Sequence, residues 1–252
     1  MEKITLIEAK NLSTQANTLH AFLGRTGGIS PPPFSSLNVG FHVGDRRANV
    51  EENLRTIEER LGFNMERAVI PRQVHGDHIV HIKNTGMCGA GIYSADALVT
   101  DLRGVALCIL TADCVPIILV DRGGRVAAII HAGWRGTLKS IATKTIKKLK
   151  ALYGIEPEEL VCAVGPAIGG CCYRVDATLI EGFSTAFRGS PGVDRRASSL
   201  DLKSINCWQI EKEGVKDIEV IDTCTACNVD SFFSHRKEGT TGRQLNVVML
   251  RG

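Results

Sequence analysis

The chain has 252 residues, 44% of them hydrophobic and only 5% aromatic, with 26 glycines, so it can bury a core built largely on small and aliphatic side chains. Lys and Arg number 30 against 27 Asp and Glu, and a net charge of +3 is too small to supply a field for nucleic acid. Nine cysteines, an odd number with no framework spacing, point to reduced thiols in a cytoplasm, and MEKITLIEAK, charged at Glu2, Lys3 and Glu8, lacks the apolar run of a signal peptide.

In chain order, the first distinctive stretch is GRTGGISPPPFSSLNVGFHVGD over 24–45, whose glycines and three consecutive prolines forbid a regular helix and predict a long shaped loop. A helix is predicted over 48–61, with Val50, Leu54, Ile57 and Leu61 on one face and Gly62 as its stop. Strands are predicted over 68–74, 78–82, 96–100, 105–110, 115–120 and 125–130. The apolar region 105–120 is interrupted by Thr111 and Asp113, so it reads as two core strands and not as a membrane span. A helix over 137–153 follows, with its lysines on a solvated face. Further strands are expected over 160–164, 218–221 and 245–250, helices over 177–187 and 202–213, and a surface loop over 188–199. Helices and strands mix without strict alternation, which predicts an α/β (α+β) protein, and no repeat or linker divides residues 1–252.

Three central strands run up to residues with metal-binding side chains: His75, Cys114 and His131. Imidazole nitrogen and thiolate sulfur suit zinc, and three protein ligands leave a fourth tetrahedral position for water or substrate, as in catalytic sites. Copper is compatible with the same donors. Each residue also has an ordinary reading: Cys114 as a small buried hydrophobe, His75 as a turn residue, His131 as a helix cap.

The segment HAGWRG adds Gly133 and Gly136, which allow close backbone approach, and Arg135, expected just before a helix N-terminus that would favour an anion. Trp134 reads as a packing residue. Cys114 and His131 could alternatively be a thiolate–imidazole pair, with Asp113 or another carboxylate orienting the base. The row His75, His78, His81 reads as coincidence, because a strand turns 78 and 81 to opposite faces. Cys224 and Cys227 form CTAC, but Cys171 and Cys172 lack the spacing of a second zinc-binding pair, so the CTAC pair reads as ordinary structural thiols over metal or redox work.

Six ordered motifs carry a resemblance: GRTGGIS with LNVGFHVGD, PRQVHG, TADCVPI, HAGWRG, VGPAIGGCCYRV and FFSHRKEGTTGRQLNVVML. Together they resemble the YfiH-like laccase-domain family, described as multicopper polyphenol oxidases and later as zinc-dependent purine nucleoside phosphorylases. The resemblance implies a single-domain sandwich of mixed sheets with helices outside, and metal ligands at His75, Cys114 and His131. It implies phosphorolysis of adenosine, inosine and methylthioadenosine, adenosine deamination, and purine nucleosides with inorganic phosphate as small-molecule partners, without nucleic acid or membrane. Asp113 is the candidate proton carrier beside the metal-bound Cys114 and His131, and Arg25, Asn38, Arg72, Gln73, Arg135 and Arg236 are the candidate substrate-binding residues. The competing readings are a metal-free Cys–His hydrolase or amidase, a copper polyphenol oxidoreductase, for which seven histidines are few, and a factor editing peptidoglycan precursors.

Overall fold

The computed structural model describes residues 3–15 and 17–252, so Glu2 lies outside the described residues. The first half of the chain forms β1 (Leu6–Ile7), α1 (Lys10–Ser13), β2 (Thr18–Leu23), α2 (Arg47–Leu61), β3 (Ala68–Arg72), β4 (Ile79–Ile82), β5 (Gly89–Ser94), β6 (Ala97–Thr100), β7 (Ala106–Thr111) and β8 (Val115–Asp121). The second half adds β9 (Ala127–Ala132), α3 (Trp134–Leu138), α4 (Ile141–Tyr153), β10 (Leu160–Val164) and α5 (Ala177–Ala186). It continues through β11 (Val193–Asp194), β12 (Ser199–Leu200), α6 (Leu202–Lys212), β13 (Asp217–Val220), α7 (His235–Glu238) and β14 (Gln244–Leu250).

Two six-stranded mixed sheets carry the architecture, one ordered β1-β2-β14-β7-β3-β5 and the other β13-β10-β8-β9-β6-β4. Alternation along each strand sorts side chains between layers. In β8, Ile118 and Val120 join Leu107 and Ile109 of β7 between the sheets, whereas Ile117 and Leu119 face a cluster shared with Ile141, Ile146 and Leu149 of α4. The outer face of the first sheet, with Ala106, Cys108 and Val247, packs on Ile57 of α2. The α/β sandwich of mixed sheets with outer helices is therefore the observed fold, and hydrophobic burial on both faces of each sheet is what holds it.

The predicted helix over 137–153 is two helices. α3 starts at Trp134, and Ser140, with φ of 58° in the left-handed region, turns the chain before α4 begins. β2 and β5 escaped prediction. His20 interrupts the apolar run of the former, and Gly89 and Gly91 that of the latter. The expected loop over 188–199 contains the small hairpin of β11 and β12. The long loop after β2 is pinned by buried Asn53 of α2, whose side chain accepts from Ile29 N–H and donates to Ser30 Oγ and to the carbonyls of Ser36 and Asn38. No described helix is long and apolar enough to cross a membrane.

Candidate active site

The register of the central strands assembles the site. Pairing of β8 with β9 sets Val115 opposite Ala132 and Pro116 opposite His131, so Cys114, the residue before β8, falls beside the end of β9. The connection from β7 to β8 crosses from one sheet to the other, and His75 follows β3 of the first sheet. One donor atom from each of His75, Cys114 and His131 lies within 4.8 Å of the others. The two imidazoles meet edge to face, with ring centroids 4.8 Å apart.

Gly133 is the floor of this cluster. A β-carbon there would lie 3.1 Å from Cys114 Sγ and 3.2 Å from His75 Cδ2, so any side chain would intrude on the donors. His75 and Asp113 both have left-handed φ values, 57° and 96°, which cost non-glycine residues roughly 1–3 kcal/mol each and mark sites where surroundings override local preference.

Those surroundings centre on Asp96, fully buried immediately before β6. Its carboxylate lies 2.8 Å from His131 Nδ1 and accepts the backbone N–H groups of His75 at 2.9 Å and Gly76 at 2.7 Å. Burial raises the Asp96 pKa, but His131 and the N–H groups of Gly76 and Val74 reverse that and hold it below the usual carboxylate range. Burial likewise pushes the Cys114 thiol up, and His131 with His75 bring it down to about 6. Burial lowers His131, and Cys114 and Asp96 raise it to about 9. Thiolate sulfur, two imidazoles and a carboxylate behind one of them are the donor set and outer support of a zinc site, so these residues fit the metal. Copper suits the same atoms, yet among the described residues this is the single histidine-bearing metal-ligand group, too few for a multicopper centre.

The cluster opens on a cleft of about 910 Å³. Arg47, Arg72, Arg135, Arg236 and Arg243 line it, against Asp113 as the one carboxylate among the described lining residues. Arg135 lies in the first turn of the short α3, with its guanidinium 4.4 Å from the Trp134 ring centroid and with no hydrogen bond among the described residues. Arg236 lies over Tyr173 at 4.9 Å and donates to the Arg174 carbonyl. Burial beside this site raises the Tyr173 phenol to about 12, so it stays a donor. Arg72 bonds Ser94 Oγ, and Gln73 both donates to the Leu110 carbonyl and accepts from its N–H at 2.7 Å. Asp113 accepts the Thr225 hydroxyl and Arg236 N–H, each at 2.6 Å, instead of orienting His131; that place belongs to Asp96.

Arg25 and Asn38 do not line the cleft. Arg25 bonds Ser35 and Val229 carbonyls and pairs with Glu238, and Asn38 accepts from Gly40 and Arg243 N–H while donating to Asp45. Both shape the wall from behind. Asp96 and Arg243 were not singled out in the sequence; the usable signal for Asp96 was an acid standing immediately before an otherwise apolar strand. His78 and His81 point elsewhere, to the Ser94 carbonyl and the Tyr153 hydroxyl. The CTAC thiols read as ordinary do converge with the adjacent pair: Cys171, Cys172, Cys224 and Cys227 form a second cluster, because a bridge between Ala167 and Cys224 joins the loops that carry them.

The chain belongs to the family described as multi-copper polyphenol oxidoreductase laccase, whose sequence model matches residues 19–251. It is 40% identical over 239 residues to a protein of Geobacillus stearothermophilus named purine nucleoside phosphorylase YlmD, covering 89% of this chain and 87% of the relative. A Corynebacterium glutamicum protein named purine nucleoside phosphorylase Cgl2154/cg2365 is 35% identical, over 91% of this chain and 93% of the relative. The crystal structure of YlmD from Geobacillus stearothermophilus superposes with a TM-score of 0.91 at 36% identity, covering 97% of this chain and 94% of that one.

Proposed function

We propose that the chain is a zinc-dependent purine nucleoside phosphorylase, acting on adenosine, inosine and methylthioadenosine, with adenosine deaminase activity on the same site. The observation that carries this reading is the junction of a three-donor cluster with a cleft lined by five arginines. Relatives named purine nucleoside phosphorylase support it.

His75, Cys114 and His131 would hold the metal, which supplies Lewis acidity when bound. In phosphorolysis a phosphate oxygen bonds to the sugar carbon C1′ as the bond from C1′ to the base breaks, leaving free base and pentose 1-phosphate. Two anionic oxygens must be held beside an uncharged nucleoside, and guanidinium groups do this by paired, charge-assisted bonds. Arg135, Arg236 and Arg72 are assigned to the phosphate, and Gln73, with its amide fixed on β7, to the shape of the adjoining wall. Arg25 and Asn38 support the binding wall without reaching it. Asp113 keeps lone pairs beyond its two hydrogen bonds, so it is assigned as the proton carrier in deamination. A cytoplasmic setting keeps the Cys114 thiol reduced.

One observation favours a second reading, a metal-free Cys–His hydrolase: the Cys114 thiol is drawn down to about 6 beside His131, which Asp96 orients. That reading leaves His75 without a part, whereas the metal reading uses all three donors. The test is metal analysis of the purified protein together with base release from each nucleoside, with and without phosphate, in wild type and Cys114→Ala. Phosphate-dependent release that vanishes with Cys114 supports the proposal. A metal-poor enzyme whose Cys114 is trapped by a thiol reagent during acyl transfer overturns it. Turnover of a peptidoglycan precursor in place of nucleosides would also reassign the substrate.

A further inference from the structure

The four remaining clustered thiols are far apart in sequence and close in space. Cys171 Sγ lies 3.8 Å from Cys172 Sγ and 3.7 Å from Cys227 Sγ, and Cys172 Sγ lies 3.3 Å from Cys227 Sγ. Cys224 completes the group, with all four sulfurs within 4.8 Å of one another. Four thiolates at the 2.3 Å zinc–sulfur distance of a tetrahedral centre stand about 3.8 Å from each other, close to the separations of these sulfurs. A disulfide would draw a pair to about 2.05 Å, and Cys171 and Cys172 are neighbours whose α-carbons, about 3.8 Å apart across a trans peptide, fall short of the usual disulfide span. Cys227 is shared between two partners rather than committed to one.

The backbone comes close to the sulfurs at Gly169. Gly169 N–H points at Cys224 Sγ at 3.2 Å, and a β-carbon on Gly169 would meet Cys171 Sγ at 3.2 Å and Cys224 Sγ at 3.7 Å. N–H groups aimed at sulfur stabilise thiolates, as metal ligation requires.

We propose that Cys171, Cys172, Cys224 and Cys227 bind a second zinc ion, a closed four-sulfur site separate from the His–Cys–His cluster and structural in role. Binding releases the thiol protons and leaves no open position for a reactant. Its place in the fold gives it a task. Tyr173, next to Cys172, lines the cleft, and Thr225, next to Cys224, donates to Asp113. One ion would therefore rivet the 165–175 and 222–234 loops that complete the cleft wall.

The test is zinc content of the chain purified without chelator, in wild type, in the double variant Cys171→Ser/Cys227→Ser and in His75→Ala/His131→Ala. Wild type is expected to hold about two zinc ions per chain, and each double variant about one. Cobalt exchange into the His75→Ala/His131→Ala variant should give the intense thiolate-to-metal absorption of a four-sulfur centre, which needs no folded cysteine variant to read. A zinc count in wild type that the cysteine pair does not change overturns the proposal. So does a denatured, unreduced wild-type chain in which two of these thiols are tied up as a disulfide.

Discussion

Asp96 governs two of the three candidate metal donors at once: its carboxylate lies 2.8 Å from Nδ1 of His131 and accepts the backbone N–H of His75 at 2.9 Å. Replacing it by Asn leaves the volume and removes the charge. Asp96→Asn is expected to weaken zinc binding by about 10–100-fold while the fold persists. Competition with a graded chelator measures this, and an unchanged affinity in a folded variant would remove Asp96 from the site.

Gly133 can be probed without backbone strain, because its φ of −73° and ψ of 174° suit any residue. The methyl group of Gly133→Ala would have to share space with Cys114 Sγ and His75 Cδ2. A turnover loss of about 10-fold or more is expected, with the thermal midpoint nearly unchanged, because small displacements of reacting groups are costly. Steady-state kinetics beside thermal denaturation separates the two effects.

Arg135 and Arg236 predict a division in kinetic constants. Truncating either to Ala should raise the KM for phosphate about tenfold, the worth of one charge-assisted bond, and move the KM for nucleoside by less than about twofold. Initial rates at varied phosphate check this. A change confined to nucleoside KM would assign these arginines to the other substrate.

Asp121, fully buried at the end of β8, accepts N–H groups from Arg125 and Val126 and pairs with Arg125 Nε at 2.7 Å. Burial raises its pKa, but these partners hold it below the usual range. A depressed folded pKa means that the stabilisation is present above the unfolded value near 3.9 and fades as pH falls through the lower folded value. Asp121→Asn should lose about 2–3 kcal/mol near neutral pH and show a flatter stability profile in acid. Urea melts at neutral pH and near pH 3 read both.

What could be read from the sequence was whatever needs only local pattern. The near-continuous apolar runs of β7, β8 and β9 exposed the central strands, and the donors His75, Cys114 and His131 stood out because they follow or close such runs. Asp96 was hidden because its partners come from 74–76 and 131, which the pairings of β6 with β4 and β9 bring near. The break at Ser140 was hidden for the opposite reason: 137–153 keeps helical periodicity across a residue whose φ is left-handed. The glycine-rich loop drew attention to Arg25 and Asn38, whose polar groups are consumed in holding that loop together. The four-thiol cluster was missed because the usual spacing rule expects two pairs of the CTAC kind, and an adjacent Cys171–Cys172 pair supplies its sulfurs differently.

The placement of β14 has a cost of its own. It lies between β2 and β7, so Val248 pairs with His20 on one side and Leu107 on the other, joining segments from opposite ends of the described chain. Until it arrives, two bare β-edges stay available to any stray strand, and ring closure over so long a contour is slow.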